Sequence, residues 1–102
     1  MSYAYITKHS SPNFWKGRPQ GAPNHITIHH WGDPAAGATF QGVINYLCRE
    51  NGSTSAHYVA ESGRVACIVD PDNRAWHARN LSNPRGIGIE CNPAVASKTA
   101  KP

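Results

Sequence analysis

The 102-residue sequence predicts an α/β fold, in which a small mixed β-sheet carries one clear amphipathic helix. Residues 25–30 and 86–91 are short runs rich in β-branched side chains, which are typical of strands. Residues 39–50 place apolar side chains at helical spacing. Turn-forming Gly, Pro, Asn and Asp residues separate these runs. A chain of this length has enough apolar surface for one domain with one modest core.

Residues 25–30 form the strand that we expect at the centre of the sheet. Side chains alternate between the two faces of a strand. One face therefore carries Ile26, Ile28 and His30, and the other carries Thr27 and His29. The apolar face is expected to pack on the core, which assigns His29 to a polar site and His30 to packing or the rim. Two ordinary strand-end histidines are the alternative.

The helix predicted from about residue 39 to residue 50 begins at Thr39, a suitable N-cap, and Asn51-Gly52 ends it. Its apolar face consists of Phe40, Val43, Ile44, Leu47 and Cys48. Further strands are predicted at residues 3–7, at an edge of the sheet, and at 55–60 and 64–69, which a turn at 61–63 joins into a hairpin. Residues 75–80 form a short aromatic segment. Residues 10–22 are predicted as a surface loop whose Asn13-Phe14-Trp15 covers the core.

The last strand, residues 86–91, has two unlike faces. Ile87, Ile89 and Cys91 lie on one face, and Gly86, Gly88 and Glu90 lie on the other. Glycine weakens a strand, so two glycines on one face suggest that another group approaches it closely. A groove floor carrying one acid fits this pattern. A tight packing contact, with Glu90 solvated at the strand end, fits equally well.

Composition excludes several classes of protein. The formal net charge of +4 suits an anionic partner such as a bacterial wall polymer or a nucleic acid, but the ten Lys and Arg residues are scattered, so no nucleic-acid-binding arm is expected. The three cysteines form no C-x-x-C pair and are expected to be free thiols. No apolar stretch is long enough for a membrane span. The N-terminus lacks the hydrophobic block of a signal peptide, so we expect the chain to accumulate inside the cell that makes it.

Four segments, residues 26–30, 55–59, 75–78 and 86–91, have an order and spacing that resemble a known family over roughly residues 5–92. The family is the zinc-dependent type-2 N-acetylmuramoyl-L-alanine amidases, which include phage endolysins, bacterial autolysins and peptidoglycan recognition proteins. The missing signal peptide points to the endolysin branch. The resemblance therefore implies an antimicrobial bacteriophage hydrolase, made in the host cytoplasm, that degrades the cell wall after its release.

The resemblance also implies roles for single residues. His29 matches a zinc ligand of the family. Glu90 matches the acidic residue that acts as general base beside the zinc-bound water. His57, Trp76 and His77 match residues that line the substrate groove. The implied reaction is hydrolysis of the amide that joins N-acetylmuramic acid to L-alanine in peptidoglycan. A Lewis acid such as zinc suits an unactivated amide of this kind.

The sequence departs from the family after Glu90. The family's other zinc ligands follow this strand, but here no His follows His77 and no Cys follows Cys91. We therefore expect an incomplete zinc site, with zinc absent altogether as one outcome. Residues 1–93 would be the N-terminal part of the family fold, apparently truncated at its C-terminus, and residues 94–102 a flexible tail.

Three consequences of the departure stay open. The chain could be a truncated amidase with little activity alone. It could rebuild a metal site beside His29 from local groups: His25, Asp33, His57, His77, Glu90 or Cys91. It could complete the site or the fold as a homodimer, which would cover the apolar sheet face that a missing helix exposes. The main alternative to an enzyme is a non-catalytic peptidoglycan-binding module, and a nucleic-acid binder is the least favoured function.

Overall fold

A computed structural model describes residues 3–31, 39–77 and 85–92 of the chain. In that part the elements are β1 (Ala4–Ile6), β2 (Phe14–Trp15), β3 (His25–His30), α1 (Phe40–Leu47), β4 (Tyr58–Glu61), β5 (Arg64–Cys67), β6 (Arg74–Ala75) and β7 (Gly86–Cys91). The expected tail at 94–102 and the loop at 33–38 lie outside the described residues, as do residues 78–84.

The strands form a five-stranded sheet in the order β1-β5-β4-β7-β3 and a two-stranded antiparallel sheet of β2 and β6. In the larger sheet β4 and β5 are antiparallel, and every other neighbouring pair is parallel. The sheet is therefore mixed, as predicted. However, β3 pairs only with β7 and lies at the edge, so the prediction that residues 25–30 form the central strand is wrong.

One face of the larger sheet, the covered face, carries the packed layer. The strand register aligns five side chains across it: Ile6, Ala66, Val59, Glu90 and His29. Helix α1 packs on β4, and Ile44 of the helix and Val59 of the strand are fully buried in one core. The two-stranded sheet contributes Ala75 and Phe14 to that core.

The opposite face of the sheet, the open face, carries apolar and uncharged side chains. Its members are Tyr5, Val65, Cys67, Tyr58, Ala60, Ile87, Ile89, Cys91, Ile26, Ile28 and His30. Ile26 is 64% exposed and Ile28 is 53% exposed. The prediction that the Ile26, Ile28 and His30 face packs on the core is therefore wrong. Alternation separates the two faces of a strand, but it does not tell which face receives the layer above the sheet.

Helix α1 begins as predicted and ends three residues early. The Thr39 hydroxyl oxygen accepts a hydrogen bond from the Gly42 N–H, which makes it the N-cap. At the other end, the Leu47 carbonyl accepts hydrogen bonds from the Ser11 hydroxyl at 2.5 Å and the Asn13 amide at 3.1 Å. These buried donors satisfy a helix-end carbonyl and so end the helix at Leu47. No helix among residues 3–31, 39–77 and 85–92 is long and apolar enough to cross a membrane.

The segment predicted as a surface loop, residues 10–22, is built into the structure more firmly than expected. It contains β2, and its Ser11 and Asn13 side chains are buried. The Ser55 hydroxyl donates to the Asn13 carbonyl at 2.5 Å and accepts from the Trp76 N–H at 2.9 Å. This polar network attaches the segment to the turn before β4. The predicted hairpin between β4 and β5 is confirmed, with Gly63 at a φ of 85° in its turn.

Candidate active site

His29 and Glu90 lie directly opposite each other on the parallel strands β3 and β7. Both are near the carboxyl ends of their strands, and their side chains project from the covered face. Ligands of open α/β sheets bind in the crevice outside the carboxyl ends of strands. Each side chain is only partly buried. The structure therefore brings together the two residues that the resemblance assigned to metal binding and catalysis.

The Nε2 atom of His29 is buried and has no hydrogen-bond partner within the described part of the chain. Buried polar atoms in native proteins are normally paired, so this unpaired imidazole nitrogen marks a candidate position for a ligand. The His77 ring meets the His29 ring edge-on, with ring centroids 5.7 Å apart. This contact restricts the orientation of the His29 ring.

The described residues do not complete a zinc site around His29. Three protein ligands are usual for catalytic zinc, but residues 3–31, 39–77 and 85–92 contain no group of three His, Cys, Asp or Glu side chains that could hold a metal. The rebuilt site considered from the sequence is thus not formed among them. Cys91 projects from the open face, and His25 is at the other end of β3. Asp33 lies outside the described residues.

The surroundings of the Glu90 carboxyl favour its protonated form. Partial burial raises its pKa above the ordinary value, and the nearby His29 and His30 oppose part of that rise. A carboxyl with a raised pKa holds a proton more readily near neutral pH than an exposed glutamate does. General acid–base catalysis needs such a group.

His77 explains the glycine at position 88. Its buried ring lies against Gly88, and a Cβ atom added there would overlap the ring. Burial lowers the pKa of His77 to about 4, so the imidazole is neutral at physiological pH. Of the two alternatives for this strand face, the glycine therefore serves a tight packing contact. Glu90, however, is half-buried rather than solvated.

His57 is fully buried, at 0% exposure, and both of its ring nitrogens have partners. Nδ1 accepts a hydrogen bond from the Gly88 N–H at 3.0 Å. Because that nitrogen is an acceptor, Nε2 carries the proton and donates to the Asn73 carbonyl at 2.8 Å. Burial lowers the pKa of His57 and favours this neutral form. The His57 ring thus connects Gly88 to Asn73 inside the protein, which is a structural role. The expected contact of His57 with substrate stays a prediction.

Arg18 lies beside His57, although no sequence pattern indicated a role for it. Its Nη2 donates to the Pro71 carbonyl at 2.9 Å and the Gly86 carbonyl at 3.1 Å, and lies 3.1 Å from His57 Nε2. Burial lowers the pKa of Arg18. The guanidinium thereby ties the segment of residues 10–22 to the start of β7. Its partners are distant in sequence, so only its place in a Pro- and Gly-rich stretch could have drawn attention to it.

Trp76 lies in a second group of side chains, beside the buried histidines. It pairs with Trp15 at a centroid distance of 5.6 Å, and the Arg74 guanidinium lies 5.5 Å from the Trp15 ring centroid. Trp15 is 47% exposed. Trp15 is therefore an accessible aromatic ring on the β2–β6 sheet, packed against the partly buried Trp76. The expected contact of Trp76 with substrate stays a prediction.

One protein family and two solved structures resemble this chain. The family model for N-acetylmuramoyl-L-alanine amidase matches residues 19–100. A mutant endolysin from Bacillus subtilis is similar in structure, with a TM-score of 0.71 and 26% identity over 96% of this chain and 69% of the endolysin. The crystal structure of a selenomethionine derivative of AmpD has a TM-score of 0.65 and 20% identity, over 88% of this chain and 60% of AmpD. No curated protein sequence matches significantly.

Proposed function

The chain belongs to the N-acetylmuramoyl-L-alanine amidase family, and from this premise we propose that it binds peptidoglycan and hydrolyses the amide between N-acetylmuramic acid and L-alanine. The observation that carries the proposal is the placement of His29 opposite Glu90 at one end of the covered face. The chain spans 60% of AmpD and 69% of the endolysin, so the activity of a whole family member comes to this chain only as a proposal.

Glu90 is the proposed catalytic residue. Amide hydrolysis requires a base that takes a proton from the attacking water and an acid that delivers one to the departing amine. The raised pKa of the Glu90 carboxyl lets one group do both, since it can accept the first proton and release it again. His77, which contacts His29, is neutral because burial lowers its pKa to about 4, so it adds no positive charge to the site.

The proposal includes dependence on zinc, with His29 as one metal ligand. Its unpartnered Nε2 is the atom that we propose as a metal ligand, since a neutral imidazole nitrogen is a common donor to zinc. Zinc bound in such a site polarises a carbonyl and lowers the pKa of water. The described residues do not supply the two further ligands that a catalytic zinc usually has.

The test is digestion of purified cell walls followed by mass analysis of the soluble products. We expect peptides with a new free L-alanine amine, and a loss of at least about 100-fold in Glu90→Gln and in His29→Ala. His25→Ala is the matched control, because His25 is exposed at the opposite end of the same strand. Cleavage that survives in Glu90→Gln would remove Glu90 from the mechanism.

A second candidate is a peptidoglycan-binding module without catalysis. The accessible Trp15–Trp76 pair favours it, because aromatic faces give large apolar contact area together with a polar edge. Retention on cell walls without any new L-alanine amine would establish this alternative. Peptidoglycan is thus the proposed partner in both cases, and a homodimer stays a prediction. A bacteriophage origin, an antimicrobial role and release from a host cytoplasm stay predictions.

A further inference from the structure

Three histidine rings lie in a row beside the candidate active site, and His77 is the middle one. Its ring centroid is 5.7 Å from that of His29 and 5.7 Å from that of His57. Both contacts are edge-on, with interplanar angles of 65° and 61°, a favourable arrangement for aromatic rings. The row runs from the fully buried His57 to the partly buried His29. His77 therefore connects the interior of the protein to the residue proposed as a metal ligand.

The position of the His77 ring is closely defined by its neighbours. The side chain is 7% exposed, and its ring lies against Gly88, where a Cβ atom would overlap it. On its inner side it meets the His57 ring, whose two nitrogens are held by hydrogen bonds. Its own Nε2 lies 3.4 Å from the Gly86 carbonyl oxygen. A ring packed in this way has little room to turn, so it offers a fixed surface to the His29 ring.

The His29 ring needs such a support if its nitrogen is to bind a ligand in one direction. The χ2 torsion of a histidine has broad, two-fold preferences, so the rotamer alone does not fix the plane of the ring. The Nε2 atom of His29 has no hydrogen-bond partner among the residues that the structure describes. Groups that orient a metal-binding histidine from outside the metal's own ligands typically contribute about 10–100-fold to metal affinity or activity. The ring contact described for His29 is the one with His77.

We propose that His77 is a positioning residue, whose ring holds the His29 imidazole in the single orientation that the proposed reaction uses. The inference rests on the proposed function for its consequence, and it differs from the substrate contact expected of His77 from the sequence. The burial of His77 fits this role, because little of its ring is left for a polymer to contact. A residue that acts through His29 in this way should change kcat more than KM.

Three-bond NMR couplings of the His29 side chain test the inference on the metal-free 102-residue chain. They report χ1 and χ2 and, unlike chemical shifts, do not depend on the ring current of His77. We expect the couplings of one rotamer in the wild type and averaged couplings in His77→Ala. His77→Phe keeps a ring beside His29 and should restore the couplings of one rotamer.

His77→Leu fills the same space without a flat ring and should behave as His77→Ala does, which keeps the test valid if the smaller side chain unfolds the chain. Circular dichroism shows which variants are folded. Averaged couplings in the wild type would overturn the proposal. Couplings of one rotamer in a folded His77→Ala or His77→Leu would overturn it as well.

Digestion of cell walls by the same variants tests the consequence for the reaction. In His77→Ala we expect kcat to fall about 10–100-fold with little change in KM, and His77→Phe should recover most of the loss. If the wild type cleaves nothing, the proposed function fails, whereas the couplings still decide whether His77 orients His29. Averaged couplings together with an unchanged kcat in His77→Ala would show that the reaction does not use this orientation.

Ile6→Ala is the matched control for lost stability. Ile6 packs against the same core from β1, at the opposite edge of the sheet from β3. The variant should therefore be less stable than the wild type, yet keep the wild-type couplings of His29 and the wild-type kcat. A loss of both in Ile6→Ala would mean that general destabilisation, and not the His77 ring, controls the orientation of His29.

Discussion

His57 shows how one side chain can take the place of a strand hydrogen bond. Its backbone N–H donates to the Gly88 carbonyl, and its ring accepts the Gly88 N–H, both at 3.0 Å. The residue thus satisfies both backbone groups of Gly88 just before β4 begins. On its other side, the ring holds the Asn73 carbonyl. A residue in this position stabilises the floor of the candidate site from inside the protein.

We expect His57→Leu to destabilise the chain by about 2–4 kcal/mol, because leucine leaves the Gly88 N–H and the Asn73 carbonyl buried and unpaired. For a domain of this size the melting temperature should fall by about 10 °C or more. His57→Asn is the matched control. Its amide oxygen can replace Nδ1 as acceptor for Gly88, so it should retain part of the stability. A thermal melt of His57→Leu that equals the wild type would instead favour a substrate-contact role.

At the scale of elements, β7 positions the site through Gly88, which has no side chain. The absent side chain lets the His77 ring lie against the strand, and that ring in turn contacts His29. A glycine in a strand interior normally costs stability. Here the cost is offset by a packing contact that connects β7 to the segment after β6.

Gly88→Ala should therefore destabilise the fold by about 1–3 kcal/mol, since its Cβ would overlap the His77 ring. The displaced ring should also change the NMR shifts of the His29 ring protons. His77→Ala in the same chain removes the overlap, so the double variant should be more stable than the sum of the single effects predicts. Additive effects of the two changes would show that the ring does not depend on Gly88.

The elements that sequence patterns predicted well are those with strong local signals. The bounds of β3 and β7 match the expected 25–30 and 86–91, and the Thr39 cap of α1 is where it was expected. Other features depend on distant partners. Ser11 and Asn13 end the helix from 36 and 34 residues away, and Arg18 reaches a carbonyl 68 residues away. No local pattern carries such information, and neither could alternation along β3 show which face would be covered.

At the scale of the whole molecule, the two faces of the sheet differ. The covered face holds the core at one end and the pair of His29 and Glu90 at the other, whereas Ile26 and Ile28 of the open face are exposed among the described residues. The buried imidazoles of His57 and His77 also make the folded state sensitive to protons. A histidine changes stability with pH where its pKa differs between the folded and the unfolded chain.

The stability of the molecule should fall on acidification, through His57 and His77. His57 illustrates the sign. Burial lowers its pKa in the folded state, and Arg18 lowers it further, whereas the Asn73 carbonyl and Asp70 oppose this. Its full contribution is therefore present above the unfolded value of about 6.5 and is lost as pH falls towards the lower folded pKa. His77 acts in the same direction. Glu90 acts in the opposite one, because its raised pKa makes its neutral form the more stable in the folded chain.

Urea titrations at pH 7.5 and pH 5 measure the balance of these groups. Two imidazoles outweigh one half-buried carboxyl, so the free energy of unfolding should be lower at the acidic pH. His57→Asn removes one of the imidazoles and should therefore depend on pH less steeply than the wild type, even though it is less stable at pH 7.5. An equal pH dependence in the two proteins would mean that His57 is not held neutral in the folded state, contrary to the hydrogen bond that its Nδ1 accepts from Gly88.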